Sequence, residues 1–362
     1  MTMNFITPFS REIETDIQNG DLKGALASIE TSLMHNPDSE QLLTEQGTLF
    51  HFTGESEKAL ETFDHLLVIY PESICGRIGK GVVLAALSRY DEAAEIFRQV
   101  LETEADNDVV QMNLGHTLEN MGREEEALSL YDAAITARPE TTRAYLEKAR
   151  ILQIRGKFEE AYALIAKGMP FHPEDGEFWG VKADILDDLG KSREAETAIE
   201  KAVHLNPRHP GLWKTYGTIL YHRQKYKKAL TAVKNSLDIF PFDLSVWHLY
   251  GNSFMRLNEY RSAIGAYTQI LEINPDDAVA LGNRGVALLQ LGQYDKAIES
   301  FTRALAINPD YLIALHYLTD IYILKEMWMH ADPLIEKILS LNPDDPHAIK
   351  CYNQIHPMKR KR

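Results

Sequence analysis

Alanine recurs every 34 residues, at Ala25, Ala59, Ala93, Ala127, Ala161, Ala195, Ala229, Ala263, Ala297 and Ala331. A fixed period of this length commits a chain to stacking copies of one supersecondary unit instead of closing around a single core. Each copy meets only its neighbours, so the product is a long surface suited to binding other molecules. Two further markers keep the same step. A proline stands 12 residues after each alanine, from Pro37 to Pro343, with Ala105 the one departure. Twelve residues before each alanine the chain reads Gly47, Gly81, Gly115, Ala149, Ala183, Gly217, Gly251 and Gly285, with Ile13 and Thr319 departing at the ends. Proline ends helices because it lacks the N–H and clashes with the preceding turn. Glycine costs a helix interior about 1 kcal/mol relative to alanine. Its repetition therefore predicts a close crossing of two helices that a larger side chain would not fit.

Four residues after each alanine sits a bulky apolar residue: Ile29, Phe63, Phe97, Tyr131, Ile165, Ile199, Val233, Tyr267, Phe301 and Ile335. The two positions share one helical face. The unit reads as helix A, short turn, helix B and a proline-marked turn. Gly54, Gly122, Gly156, Gly190 and Gly292 mark the turn between the two helices. Trp247, Tyr250-Gly251, Phe254, Tyr260, Ala263, Tyr267 and Pro275 make the eighth unit almost complete in a known pattern, and that pattern resembles the tetratricopeptide repeat.

Ten tandem units follow without insertion: 6–39, 40–73, 74–107, 108–141, 142–175, 176–209, 210–243, 244–277, 278–311 and 312–345. The resemblance implies an all-α fold, a right-handed superhelical solenoid of helix-turn-helix repeats. We expect it as a single solenoid over 1–362, with an atypical first unit that caps one end. A C-terminal capping helix is expected over 346–356, with Ile349, Tyr352 and Ile355 at helical spacing, followed by a basic tail over 357–362. That tail reads as a solvated end, with nuclear import or an acidic partner as the alternative.

Lys and Arg total 38 against 53 Asp and Glu, a net charge of −15. An acidic chain does not favour general binding to nucleic acid or anionic membranes, so we expect neither as a partner. Cys75 and Cys351 lie far apart in sequence, which disfavours a disulfide and fits a reducing, cytoplasmic setting. The N-terminal residues show no signal pattern, and no apolar stretch approaches a membrane span.

No catalytic constellation emerges. Gly76-Arg77-Ile78-Gly79-Lys80-Gly81 follows no strand, as a phosphate loop must. The 13 histidines show no ligand spacing, and no metal or cofactor is expected. Asp184, Asp187 and Asp188 share one helix A and read as a solvated acidic face, with cation binding the alternative.

In proteins similar to this one, helices A line the concave groove. A known peptide mode of the family clamps a C-terminal carboxylate with lysines, asparagines and an arginine on three successive helices A. By that resemblance, His248 stands at the first lysine position, Asn252 and Asn283 match the asparagines, and Ile313 and Tyr317 replace the remaining cations. Two side-chain amides remain, able both to donate and to accept. Around them lie His316, Leu249, Val279, Val286, Leu289 and Tyr317. The set suits an extended peptide, and the expected contacts are His248, Asn252, Asn283, His316 and Tyr317; ordinary groove residues with no dedicated ligand are the alternative. A weaker echo in units three to five carries Asn113, Arg143, Ile78, Val82, Ala85, Val109 and Met112. There Ile78 and Met112 are the expected exposed residues, and Val82 and Ala85 the packed ones. From Lys201 to Leu237 there are eight basic residues and no acidic one, next to a strongly acidic sixth unit.

The function expected is a non-catalytic scaffold or adaptor that binds a protein or peptide segment in the concave groove. A self-assembling structural subunit and a recruiting subunit of a multi-protein enzyme complex are the alternatives. No catalytic domain fits, because the repeats consume nearly every residue.

Overall fold

The computed structural model describes Ile13 and residues 22–359, with side chains described up to 355. The first helix A and the basic tail expected from the sequence thus fall almost wholly outside the described residues. All regular structure among the described residues is helical. The chain divides into two compact units, Met1–Pro173 and Glu174–Arg362.

The first unit holds α1 (Leu22–His35), α2 (Glu40–Phe52), α3 (Ser56–Ile69), α4 (Ile74–Ala86), α5 (Tyr90–Thr103), α6 (Asp108–Asn120), α7 (Glu124–Ala137), α8 (Thr142–Ile154) and α9 (Phe158–Gly168). The second holds α10 (Gly176–Asp188), α11 (Ser192–Leu205), α12 (Pro210–His222), α13 (Tyr226–Ile239), α14 (Leu244–Arg256), α15 (Tyr260–Ile273), α16 (Ala278–Gln290), α17 (Tyr294–Ile307), α18 (Leu312–Leu324), α19 (Trp328–Leu341) and α20 (Pro346–Lys359).

The recurring glycines sit where the period predicts a close crossing. A Cβ on Gly81 would lie 2.6 Å from the Phe97 ring, one on Gly115 2.0 Å from the Tyr131 hydroxyl, and one on Gly285 2.6 Å from the Phe301 ring. Each ring is the bulky residue 16 positions on, four beyond the repeat alanine, and each is fully or almost fully buried. The pairs trade volume. Where the later residue shrinks to Ile165 or Ile199, the earlier one grows to Ala149 or Ala183. The seventh repeat departs from this trade, pairing Gly217 with Val233.

The A-to-B turn is left-handed in every repeat from the second to the tenth. Gly54, Gly122, Gly156, Gly190 and Gly292 have φ between 69° and 82°. Ser88, Gln224, Asn258 and Glu326 hold the same position at φ 56–61°, which for residues other than glycine and asparagine is strained.

Helices A and B start differently. Ser73, Asn107, Asp175, Asp243 and Asp277 cap helices A by accepting from backbone N–H groups, whereas the described starts of helices B have no side-chain cap. Asp243, Asp277 and Asp345, which caps α20 by accepting from the Ala348 N–H, serve twice. Lys214 reaches Asp243, His248 reaches Asp277 and His316 reaches Asp345, each pair joining one helix A to the start of the next. Asp277 accepts from the Ala280 N–H at 2.8 Å while its other oxygen meets His248 Nε2 at 3.1 Å. Asp277→Ala is expected to lower stability by about 1–2 kcal/mol, the upper part of the range for a lost cap. Asp277→Asn, which keeps the cap, should recover most of that in a urea titration.

Successive helices A touch each other: α2–α4, α4–α6 and α6–α8 in the first unit, and α10–α12, α12–α14, α16–α18 and α18–α20 in the second. Helices B make no comparable mutual contact among the described residues. Helices A therefore form the inner face of each unit.

Helix α20 covers the tenth repeat with a different face from the expected one. Ala348, Cys351 and Ile355 are buried against Leu315, Ile335 and Ile338, while Ile349 and Tyr352 are 41% and 36% exposed. The small side chains of Ala348 and Cys351 allow a close approach that Ile349 and Tyr352 would block. Among the described residues no helix is long and apolar enough to cross a membrane.

Candidate functional site

All five expected contact residues lie on helices A of the second unit, on α14, α16 and α18, with surroundings that differ for each. Asn252 uses its oxygen internally, accepting the Tyr267 hydroxyl at 2.7 Å. Its amide N–H groups are the part left to recognise a ligand. Asn283 is half-buried, and its side chain makes no hydrogen bond among the described residues. His248 is held by Asp277 and lies 6.4 Å from the Tyr267 ring. Tyr317 stacks on Phe301 at 5.8 Å and 10°. Of the expected apolar surroundings Val279 is 49% exposed, whereas Leu249, Val286 and Leu289 pack partly buried against the core; Ile313 on α18 is 45% exposed. The fifth residue, His316, is turned to other work: its Nδ1 meets His347 Nδ1 at 2.9 Å and its Nε2 lies 3.4 Å from Asp345.

Comparison with known proteins agrees with this architecture. The profile described as "Psidin, N-terminal TPR repeats region" matches residues 53–240, more than half of the 362. Tetratricopeptide-repeat profiles match 244–277 and 278–311, the eighth and ninth units in the frame read from the sequence. The chain belongs to the tetratricopeptide-repeat family.

Solved tetratricopeptide-repeat proteins share its fold. The C-terminal part of a TPR repeat-containing protein from Cytophaga hutchinsonii aligns with a TM-score of 0.54 at 16% identity, covering 66% of this chain and 97% of that one. A tetratricopeptide repeat protein from Parabacteroides merdae aligns at 0.52 and 18%, covering 67% and 96%. PilF of Pseudomonas aeruginosa aligns at 0.51 and 15%, covering 58% and 96%. No curated protein matches in a sequence comparison. As a tetratricopeptide-repeat protein, the chain is a protein-interaction scaffold in the general sense.

In the first unit, the repeats enclose a cavity of about 180 Å³ on the inner face, lined by Thr48, His51, Phe63, Val82, Val109 and Asn113 among others. Burial lowers the His51 pKa. The expected exposed pair is corrected here: Ile78 and Met112 are 5% and 7% exposed and belong to the core. Val82, expected to pack, instead lines the cavity beside Val109. Adjacent positions at the edge of a helix A face divide between the groove and the next helix, and sequence alone does not set that boundary.

The basic seventh repeat is partly neutralised by the acidic sixth. Arg223 and Lys225 both bind Glu196, and His222 binds Asp187 at 2.6 Å. Lys227, Lys228 and Lys234 stay exposed on α13 with no ion pair among the described residues. The acidic trio on α10 is not uniformly solvated. Asp184 accepts from Thr215 at 3.4 Å, and burial, with Asp188 and Asp187 nearby, pushes its pKa up to about 7.

Sequence reasoning missed one cluster altogether. His316, Asp320, Asp345, His347 and Cys351 converge where α18 meets α20. The available signal was His347 and Cys351 at i, i+4 on a helix.

Proposed function

We propose that the chain is a non-catalytic scaffold or adaptor that binds an extended protein segment along the inner face of its second unit. Asn252, Asn283, His248 and Tyr317 mark the segment's path, while His316, expected among them, is taken up by His347 and Asp345. The observation that carries this reading is Asn283, whose side-chain amide has no hydrogen-bond partner among the described residues, one turn from exposed Val279 on α16 and one helix A away from exposed Ile313 on α18. A polar group so placed is suited to pair with a ligand backbone while apolar side chains of the ligand cover the two walls.

Affinity capture from a native lysate tests it, comparing wild type with Asn252→Ala/Asn283→Ala. Two lost amide hydrogen bonds at about 0.5–1.5 kcal/mol each weaken binding roughly 10-fold or more, with the helical circular dichroism unchanged. A partner retained equally by both proteins would place the contact elsewhere.

A second reading, self-association, is favoured by the unpaired lysines of α13. It predicts an oligomer that dissociates as salt rises. A monomer at all ionic strengths in sedimentation would remove it.

A further inference from the structure

The junction of α18 and α20 contains a set of contacts that two neutral histidines cannot satisfy. Asp345 lies 3.4 Å from His316 Nε2, His316 Nδ1 lies 2.9 Å from His347 Nδ1, and His347 Nε2 lies 2.9 Å from Asp320 Oδ1. Each of these three contacts needs one hydrogen between acceptors. A neutral imidazole carries one N–H, so two rings supply two. Whichever tautomers are chosen, one lone pair faces another acceptor. One further positive charge closes the set.

The His316–Asp345 pair alone is unremarkable, since His248–Asp277 and Lys214–Asp243 repeat it. What is not repeated is the second ring. His347 occupies the second position of α20, where the second positions of α14 and α16 carry Ser245 and Val279. It faces α18 because the helix packs through Ala348 and Cys351.

We infer that His316, His347 and Asp345 form a binding site for one divalent transition-metal ion of the zinc class. Ring nitrogens of both histidines and a carboxylate oxygen of Asp345 all lie within 4.8 Å of one another. A tetrahedral zinc ion, with Zn–N bonds of about 2.0–2.1 Å, sets two nitrogens about 3.3 Å apart. The observed 2.9 Å between the Nδ1 atoms needs to open by a few tenths of an ångström, and the His316 ring, whose Nε2 now faces Asp345 at 3.4 Å, needs to turn so that one of its nitrogens shares the ion with both partners. Asp345 is fixed from behind, because its other oxygen accepts the Ala348 N–H at 2.8 Å. Asp320 takes the far nitrogen of His347, the carboxylate–histidine–metal arrangement that orients a ligand ring and raises its basicity. Two imidazole donors suit zinc or nickel, whereas calcium and magnesium favour sets made of oxygen alone. His347 is 38% exposed, which gives an ion an entry path. Cys351 Sγ, 3.9 Å from both nitrogens of His347, groups with Asp320 in a second triad that shares that ring. The inference assigns the ion to the first triad. It stands apart from the peptide reading, since metal binding is measured with no partner present.

The test is calorimetric titration of ZnCl₂ into the full chain, free of any polyhistidine tag and dialysed against a chelator, at pH 7.5. The expected result is one ion per chain, with affinity reduced about 10-fold or more by His316→Ala and by His347→Ala and kept by Cys351→Ser. The cobalt complex should show no thiolate charge-transfer band. Absence of zinc binding, with one imidazole instead carrying the extra proton in an NMR titration, overturns the inference. So does equal binding by the histidine variants. Loss of binding in Cys351→Ser overturns the donor set by moving the ion to the second triad.

Discussion

Phe301→Ala is expected to lower the stability of the second unit by about 3–5 kcal/mol, the range for deleting a buried aromatic side chain. Phe301 is fully buried, lies against Gly285 at the A–B crossing of the ninth repeat, and carries Tyr317 stacked on its face. Gly285 has no side chain to move into the space, so the cavity stays open. Repeat arrays add stability locally. The loss should therefore appear as early unfolding of the ninth and tenth repeats, ahead of the sixth to eighth. Hydrogen exchange read helix by helix checks the location, and urea denaturation checks the size. A uniform loss over all of α10 to α20, or one below about 1 kcal/mol, would contradict this packing. The variant should also weaken any ligand that rests on Tyr317, because that ring loses its support.

The crossings themselves were legible in the sequence. A residue pair 16 positions apart that exchanges volume, Gly115 with Tyr131 and Ala149 with Ile165, announces two helices in contact before any coordinates are known. The left-handed turn was legible only where glycine marks it. Ser88, Gln224 and Glu326 adopt the same backbone under packing from both flanking helices, which overrides local preference. The inner face was legible in register and not in detail. Asn252 and Asn283 fall on the expected helices, yet the Tyr267 hydroxyl that takes one amide oxygen comes from a helix B 15 residues on, and no family register assigns it. The histidine cluster at α20 was hidden by a rotation. Reading the cap's buried face as Ile349, Tyr352 and Ile355 follows side-chain size. The helix instead buries Ala348 and Cys351, and that rotation brings His347 onto His316.

Asp184→Asn is expected to stabilise the protein at pH 8 by on the order of 2–4 kcal/mol, and to change little at pH 4. Burial on α10 disfavours the charged carboxylate, the negative charges of Asp188 and Asp187 add to that, and the Thr215 hydroxyl and Lys214 only partly offset them, leaving a pKa of about 7. The unfolded chain releases the proton near the ordinary aspartate value of about 3.9. A folded-state pKa above the unfolded value means that the native protein holds the proton more tightly. The stability this gives is complete below about pH 4 and is lost as pH rises to about 7. Above that the native state carries a buried charge. Asparagine has the same shape, still accepts from Thr215, and never ionises. The wild type should therefore lose stability across pH 4–7 relative to the variant, and the two curves should run parallel above pH 8. Urea midpoints at unit pH steps measure the difference directly. A difference that is constant with pH would mean that Asp184 titrates normally and that its oxygen is reached by water.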